Sequence, residues 1–392
     1  MIGPSEAIET LGPADRQEAL DHLDLVFSTK RSPHDFARML PHCYQPENMR
    51  DHYVIRRDGR IAAMLGLFRR PWHVGGDQLE VVGIGGVSTH RRYRGQGLMR
   101  ALMEHVVGVM QAQSTPLSWL AGHRLRYARY GYESSGVDLR GLLRTADVAG
   151  HALCDAVEGA SFTPLLAGDD AALDVLHALH EARPARHPRP RAQLFDYLRA
   201  WHHEPWVART PDGAVLGALS VHPAHRTIPE VLAADAVTAI DLACAWVRHT
   251  GVDHEIYLPP RAPAVAHALC RVAGGDVRPR PSGNWRVFDW PRVLRALLTE
   301  RLAHGPVLPG SVTMAVGDLA WRVTCDGSGF EVEEAEASGA DLSLDALTAT
   351  RVWFGPLRPS ASVAMHGVAR EAVLALDQWC PLPLTWSQMD QV

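Results

Sequence analysis

The sequence predicts an α+β chain in three parts, of which the second repeats the first and the third differs from both. Three observations lead there. Residues 79–110 read as a buried strand, a basic loop with two glycines and an amphipathic helix. A strand, an Asp-Gly turn and the strands after it recur in the second half of the chain. From about Pro281 the pattern changes to strand, helix, antiparallel hairpin and closing helix. A length of 392 residues also exceeds what one ordinary core accommodates.

The first part, residues 1–150, opens with a short strand at 7–11 and a helix at 15–27 whose Leu20, Leu23 and Phe27 share one face. Two strand-like runs, 52–57 and 60–68, meet at Asp58-Gly59, a dipeptide that tolerates the positive φ of a tight hairpin. The apolar run Leu79-Glu80-Val81-Val82-Gly83-Ile84-Gly85-Gly86-Val87 marks a central strand covered on both faces. After the loop, Leu98, Met99, Leu102, Met103, Val106, Val107 and Met110 fall on one helical face. A further strand at 117–121, a short helix at 124–130 and a Tyr130-Gly131-Tyr132 turn complete this part.

The loop His90-Arg91-Arg92-Tyr93-Arg94-Gly95-Gln96-Gly97 has the chemistry of a pyrophosphate site. A helix start presents unpaired N–H groups and partial positive charge to an anion. Gly95 and Gly97 let the backbone approach phosphate closely, and Arg91, Arg92 and Arg94 add charge. The loop lacks the lysine of a Walker motif and the third glycine of a dinucleotide turn. An ordinary polar loop holding two glycines is the alternative, and the strand–loop–helix order argues against it.

In the second part, residues 151–282, Trp206-Val207-Ala208-Arg209-Thr210-Pro211-Asp212-Gly213-Ala214 echoes Tyr53-Val54-Ile55-Arg56-Arg57-Asp58-Gly59-Arg60-Ile61. Glu230-Val231-Leu232, continuing to Val237, echoes Glu80-Val81-Val82, continuing to Val87. Here Val237-Thr238 leads directly into a helix at 239–247, with a threonine cap and neither arginines nor a glycine pair. Such a start offers a pyrophosphate no cradle. The stretch 184–191, rich in proline and arginine, reads as a solvated loop.

The third part, residues 283–392, contains a strand at 285–288, a helix at 291–302, a hairpin at 312–316 and 319–324, a strand at 330–332 and a helix at 368–379. Pro381 and Pro383 discourage helix in the tail. Residues 383–392 can therefore run extended over roughly 30 Å.

The composition, 46% hydrophobic and 21% charged, is that of a globular protein. A net charge of −5 argues against nucleic acid as the main partner. Lys30 is the only lysine. Neither a signal-peptide pattern nor a membrane-length apolar run is present, so a cytoplasmic protein is expected. The six cysteines are scattered, as for buried free thiols. No metal site is expected: His202-His203-Glu204 would place neighbours on opposite faces of a strand.

The spacing Arg92-x-x-Gly95-x-Gly97 resembles the coenzyme A loop, (Q/R)-x-x-G-x-(G/A), of the GNAT acetyltransferases. The run Val87-Ser88-Thr89-His90 leading into that loop, Tyr127-Ala128-Arg129-Tyr130-Gly131-Tyr132 downstream, the repeat and the distinct third part together resemble the Eis-type (enhanced intracellular survival) GNAT N-acetyltransferases. That resemblance implies tandem GNAT folds, the second degenerate, followed by a sterol-carrier-protein-like domain. It further implies acetyl-CoA as co-substrate, no metal, a primary-amine acceptor such as an aminoglycoside or another polyamine, and a homo-oligomer, hexameric in that family.

Residue by residue, the resemblance implies that Gly85, Gly86 and Val87 offer backbone groups to the pantetheine arm and thioester. Arg92, Tyr93, Arg94, Gly95, Gln96, Gly97 and Leu98 would hold the pyrophosphate, and Tyr127 and Ala128 would flank the coenzyme. Two glycines ending a central strand also suit a bulge or tight packing under a helix. Tyr132 corresponds to the family's general acid, and a phenol can protonate a leaving thiolate; a plain core tyrosine is the alternative. The family's general base is the terminal carboxylate, here that of Val392, where the family often has an aromatic residue; a frayed tail is the alternative. No cysteine lies near the loop to carry an acyl group, which favours direct transfer. Acidic side chains at Asp21, Asp24, Asp35, Glu133 and Asp390 read as solvated surface. The competing readings are a lipid or sterol carrier with a vestigial GNAT portion, and an acyltransferase using a longer acyl-CoA.

Overall fold

The structure is a computed structural model and describes residues 7–29, 33–259, 263–273 and 276–392. Three sheets organise it, and they do not follow the chain in simple blocks. The first has seven strands in the order Glu9–Thr10, His52–Arg57, Arg60–Val74, Asp77–Thr89, Leu117–Leu120, Gly283–Val287, Glu133–Ser135. Asp58 and Gly59 turn its hairpin with φ of 51° and 73°, as the dipeptide predicts. The central strand Asp77–Thr89 has its apolar residues buried on both faces. Leu98, Leu102, Met103, Val106 and Met110 of helix Leu98–Ala112 cover one of them.

The second sheet orders Val277–Arg280, Asp138–Leu143, His254–Leu258, Thr227–Leu232, Val215–His222, Glu204–Arg209 and Ser161–Pro164. Each of these two sheets thus takes a strand from beyond the boundaries read in the sequence. Asp138–Leu143 leaves the first part to pair with His254–Leu258, and Gly283–Val287 returns to pair with Leu117–Leu120. Side chains fix that return: Asn284 donates to the Leu120 and Gly122 carbonyls at 3.2 and 2.9 Å. A Cβ at Gly283 would strike the Trp119 indole.

The repeated helix runs Ala236–Thr250, not 239–247, and its strand ends at Leu232 rather than continuing to Val237. Its cap is Asp235, not a threonine: the carboxylate accepts from the Val237 and Thr238 amides at 2.9 and 2.8 Å.

The third sheet orders Phe330–Glu334, Leu319–Cys325, Gly310–Val316 and Leu342–Leu344. Helices Trp290–Ala303, Ala346–Phe354 and Arg370–Trp379 accompany it, the middle one not foreseen in the sequence. Trp290 stacks between Trp321 and Phe354, with ring centroids 5.2 and 6.1 Å away. This core is continuous with the second face of the first sheet, through Trp119, Trp285 and Trp386. Among the described residues, no helix is long and apolar enough to cross a membrane. Cys43, Cys244, Cys325 and Cys380 are buried, whereas Cys270 is exposed.

Candidate active site

The site is built where the central strand outlasts its neighbour. Asp77–Thr89 and Leu117–Leu120 pair in parallel from Val81 opposite Leu117 to Ile84 opposite Leu120, and beyond Ile84 the central strand has no partner on that edge. On its other edge, Gly85 pairs with Gly66 and Ser88 with Met64, so two residues, Gly86 and Val87, oppose Leu65 alone. This is a bulge, and Gly86 carries its positive φ of 61°.

The loop that follows is held open. Tyr93 donates its hydroxyl to Asp58 at 2.8 Å, tying the loop to the hairpin turn. Gly95 and Gly97 sit at φ of 78° and 82°, values that favour glycine. Gly97 caps helix Leu98–Ala112 and brings no side chain to its first amides. Arg91, Arg92, Arg94 and Gly95 are exposed around this start, and space beside Gly95 is clear.

A groove of about 820 Å³ runs from the helix start to the short helix Arg124–Tyr127. Of the residues expected to hold coenzyme, Val87, Tyr93, Arg94, Gly95, Gly97, Leu98 and Tyr127 line it. Arg92 instead borders a neighbouring hollow with Asp58 and His90, and Gln96, Ala128, Gly85 and Gly86 do not line the groove. Phe27, Arg126, Arg129 and Tyr130 line it without having been singled out in the sequence. The basic-aromatic run 124–132 is the signal that could have marked Arg126, Arg129 and Tyr130; Phe27 carries none.

Tyr132 and Val392 lie on opposite faces of the first sheet. Tyr132 is fully buried among Val82, Ile84 and Leu102 on the helix side. Its hydroxyl lies 2.7 Å from the Ser118 hydroxyl, which in turn donates to the Val82 carbonyl at 2.7 Å. Burial raises the phenol well above its ordinary value, and the Ser118 hydrogen bond opposes this only partly.

Val392 lies beneath the strand on the other face. A Cβ added at Gly85 would stand 2.6 Å from the Val392 carbonyl carbon and 2.8 Å from its oxygen; one at Gly83 would meet its side chain at 2.9 Å. The alternation Gly83-x-Gly85 therefore clears one face of the strand for the end of the chain. Gly85 admits Val392 there. Along the way Trp386 stacks on Trp119 at 5.0 Å, nearly parallel, and the Leu384 carbonyl accepts from Val137 N at 2.8 Å.

Three expectations of solvated surface are overturned. Glu133 is buried and accepts from Arg124 Nε and Nη2 at 2.5 and 2.6 Å, with Arg351 at 3.0 Å. Asp390 is buried against Arg189, so the stretch 184–191 is not a solvated loop: His187 and Arg189 are buried within it.

Residues 7–135 match a family model described as an acetyltransferase (GNAT) domain. No curated protein matches the chain. Among solved structures, a GCN5-related N-acetyltransferase from Kribbella flavida is 18% identical over 100% of both chains, with a TM-score of 0.66. A probable N-acyltransferase from Enterococcus faecalis V583 is 16% identical over 97% of both chains, TM-score 0.65. Eis1 from Mycobacterium abscessus is 16% identical over 97% of this chain and 98% of its own, TM-score 0.63. At these identities the structures speak for the shared fold. The chain thus carries an acetyltransferase (GNAT) domain over residues 7–135, inside an architecture those proteins share along their whole length.

Proposed function

We propose that this chain is an acetyl-CoA-dependent N-acetyltransferase that moves the acetyl group to a primary amine by direct transfer in a ternary complex. The observation that carries the reading is the open start of helix Leu98–Ala112, with its glycine cap, exposed arginines and adjoining groove. Gly97 and the amides after it would receive the pyrophosphate, with Arg94 beside it, while Tyr127 and Tyr130 flank the groove. Acetyl-CoA supplies the activated acyl group as a thioester.

In this reading the Val392 carboxylate takes the proton of the incoming ammonium on the tail face of the strand. The amine forms its N–C bond as the C–S bond breaks, Tyr132 delivers a proton to the departing sulfur, and the second proton shed by the acylated nitrogen passes to solvent, from which the phenol is reprotonated. Like any phenol, Tyr132 is protonated at neutral pH, and Ser118 holds its hydroxyl two residues before the strands part. Cys43 does not suit an acyl-carrying role, since burial pushes its thiol up to about 11. Aminoglycosides and other polyamines are the acceptor class we favour, and the third unit serves in this reading to deliver the tail. Its interior is filled by Trp290, Trp321 and Phe354, which favours a scaffold over a lipid carrier. The resemblance also carries the expectation of a hexamer, which sedimentation would check.

The test is thiol release from acetyl-CoA across a panel of aminoglycosides and polyamines. Tyr132→Phe lowers kcat on the best acceptor by about 100-fold. Undiminished turnover would remove Tyr132 from its role, and failure of every amine would remove the activity.

A further inference from the structure

Outside the groove, the second unit grips the chain's last residues. Arg189, 2% exposed, spans two acids far away in sequence. Its Nε and Nη2 donate to the two Asp390 carboxylate oxygens at 2.8 and 3.0 Å, and its Nη1 donates to Glu230 at 2.8 Å. Arg183 holds the other Glu230 oxygen, 2.5 Å away. Burial alone would raise the Asp390 carboxyl, but the Arg189 charge holds it well below the usual carboxylate range.

A second tether reaches the next residue. Trp201 donates its indole N–H to the Gln391 carbonyl at 3.2 Å. Trp201 and His202 hold consecutive φ values of 57° and 65°, a left-handed pair that non-glycine residues seldom adopt. Both tethers come from the segment between helix Asp170–Glu181 and strand Glu204–Arg209, and both grip residues directly preceding Val392.

We infer that Arg189 and Trp201 are positioning residues: the second unit, in place of binding coenzyme, holds Asp390 and Gln391 so that the Val392 carboxylate stays beneath Gly85. This rests on the reading of that carboxylate as the general base. A terminal residue is otherwise free to fray, and a shift of about 1 Å at a reacting group costs on the order of 100-fold in rate. Buried charges left without partners are costly, so this clamp has one register.

The experiment compares four proteins: wild type, Asp390→Asn, Trp201→Phe and a chain extended by one glycine after Val392. Each is assayed on the amine of the panel that turns over fastest, with melting curves to confirm folding, and each is incubated with carboxypeptidase Y. Asp390→Asn is expected to lower kcat roughly 10- to 100-fold, with the KM for acetyl-CoA within about twofold, and to release Val392 about tenfold faster. Trp201→Phe, which keeps the ion pair, shows a smaller loss of about 3- to 5-fold in kcat. The extended chain loses activity while still binding acetyl-CoA. If Asp390→Asn keeps wild-type kcat and carboxypeptidase resistance while the extended chain is inactive, the positioning role is overturned and the general base stands. If the extended chain is fully active, the base reading fails and the positioning role falls with it.

Discussion

The two halves of the repeat begin their long helices differently, and the difference separates a ligand site from a scaffold. In the first, eight residues from His90 to Gly97 connect strand to helix, and a glycine cap leaves the leading amides without a side-chain partner. In the second, strand Thr227–Leu232 reaches helix Ala236–Thr250 across three residues, and the Asp235 carboxylate already occupies the anion position. The same dipole and the same amides are present in both. What decides is whether the protein supplies the anion itself.

The comparison can be pressed first with pH, where the largest effect is expected. Both halves bury neutral imidazoles: burial lowers His22 and His52 in the first, and His180, His187 and His203 in the second, each to about 4. The unfolded chain takes up protons near 6.5, before the folded one does. Stability is therefore greatest well above pH 6.5 and falls as pH drops toward 4. Melting temperatures measured from pH 7.5 to 5 should decline steadily, and a flat profile would contradict this burial.

Gly85→Val comes next. Its side chain needs space that the Val392 carbonyl holds, so the tail must move and kcat falls by about 100-fold or more, while acetyl-CoA affinity stays within a few-fold. Loss of coenzyme binding instead would mean that Gly85 serves the coenzyme rather than the tail. The smallest effect is at the second helix start. Asp235→Ala removes the carboxylate that accepts from two amides and costs about 1 kcal/mol in denaturant unfolding, without creating a coenzyme site, because the arginines and glycines are missing there.

Local signals in the sequence carried much of this. Asp58-Gly59, the arginine–glycine loop and the periodicity of helix Leu98–Ala112 are each decided by neighbours within a few residues, so a linear reading reaches them. The exchange of Asp138–Leu143 and Gly283–Val287 between sheets was not legible, because a strand's pattern tells how it is covered and not which sheet receives it. The stretch around Arg189 looked solvated by composition. Its partners Glu230 and Asp390 are 41 and 201 residues away, and only the fold brings them together. The start of helix Ala236–Thr250 is set by the Asp235 cap, which the apolar periodicity of the helix does not signal.

The most direct measurement is isothermal titration of the full chain with acetyl-CoA, repeated on Arg94→Ala/Gly97→Val. One molecule is expected to bind per chain, with affinity weakened at least about 100-fold in the variant. No binding by the wild type, two molecules per chain, or a variant that binds as well as the wild type would contradict the assignment of a single open helix start.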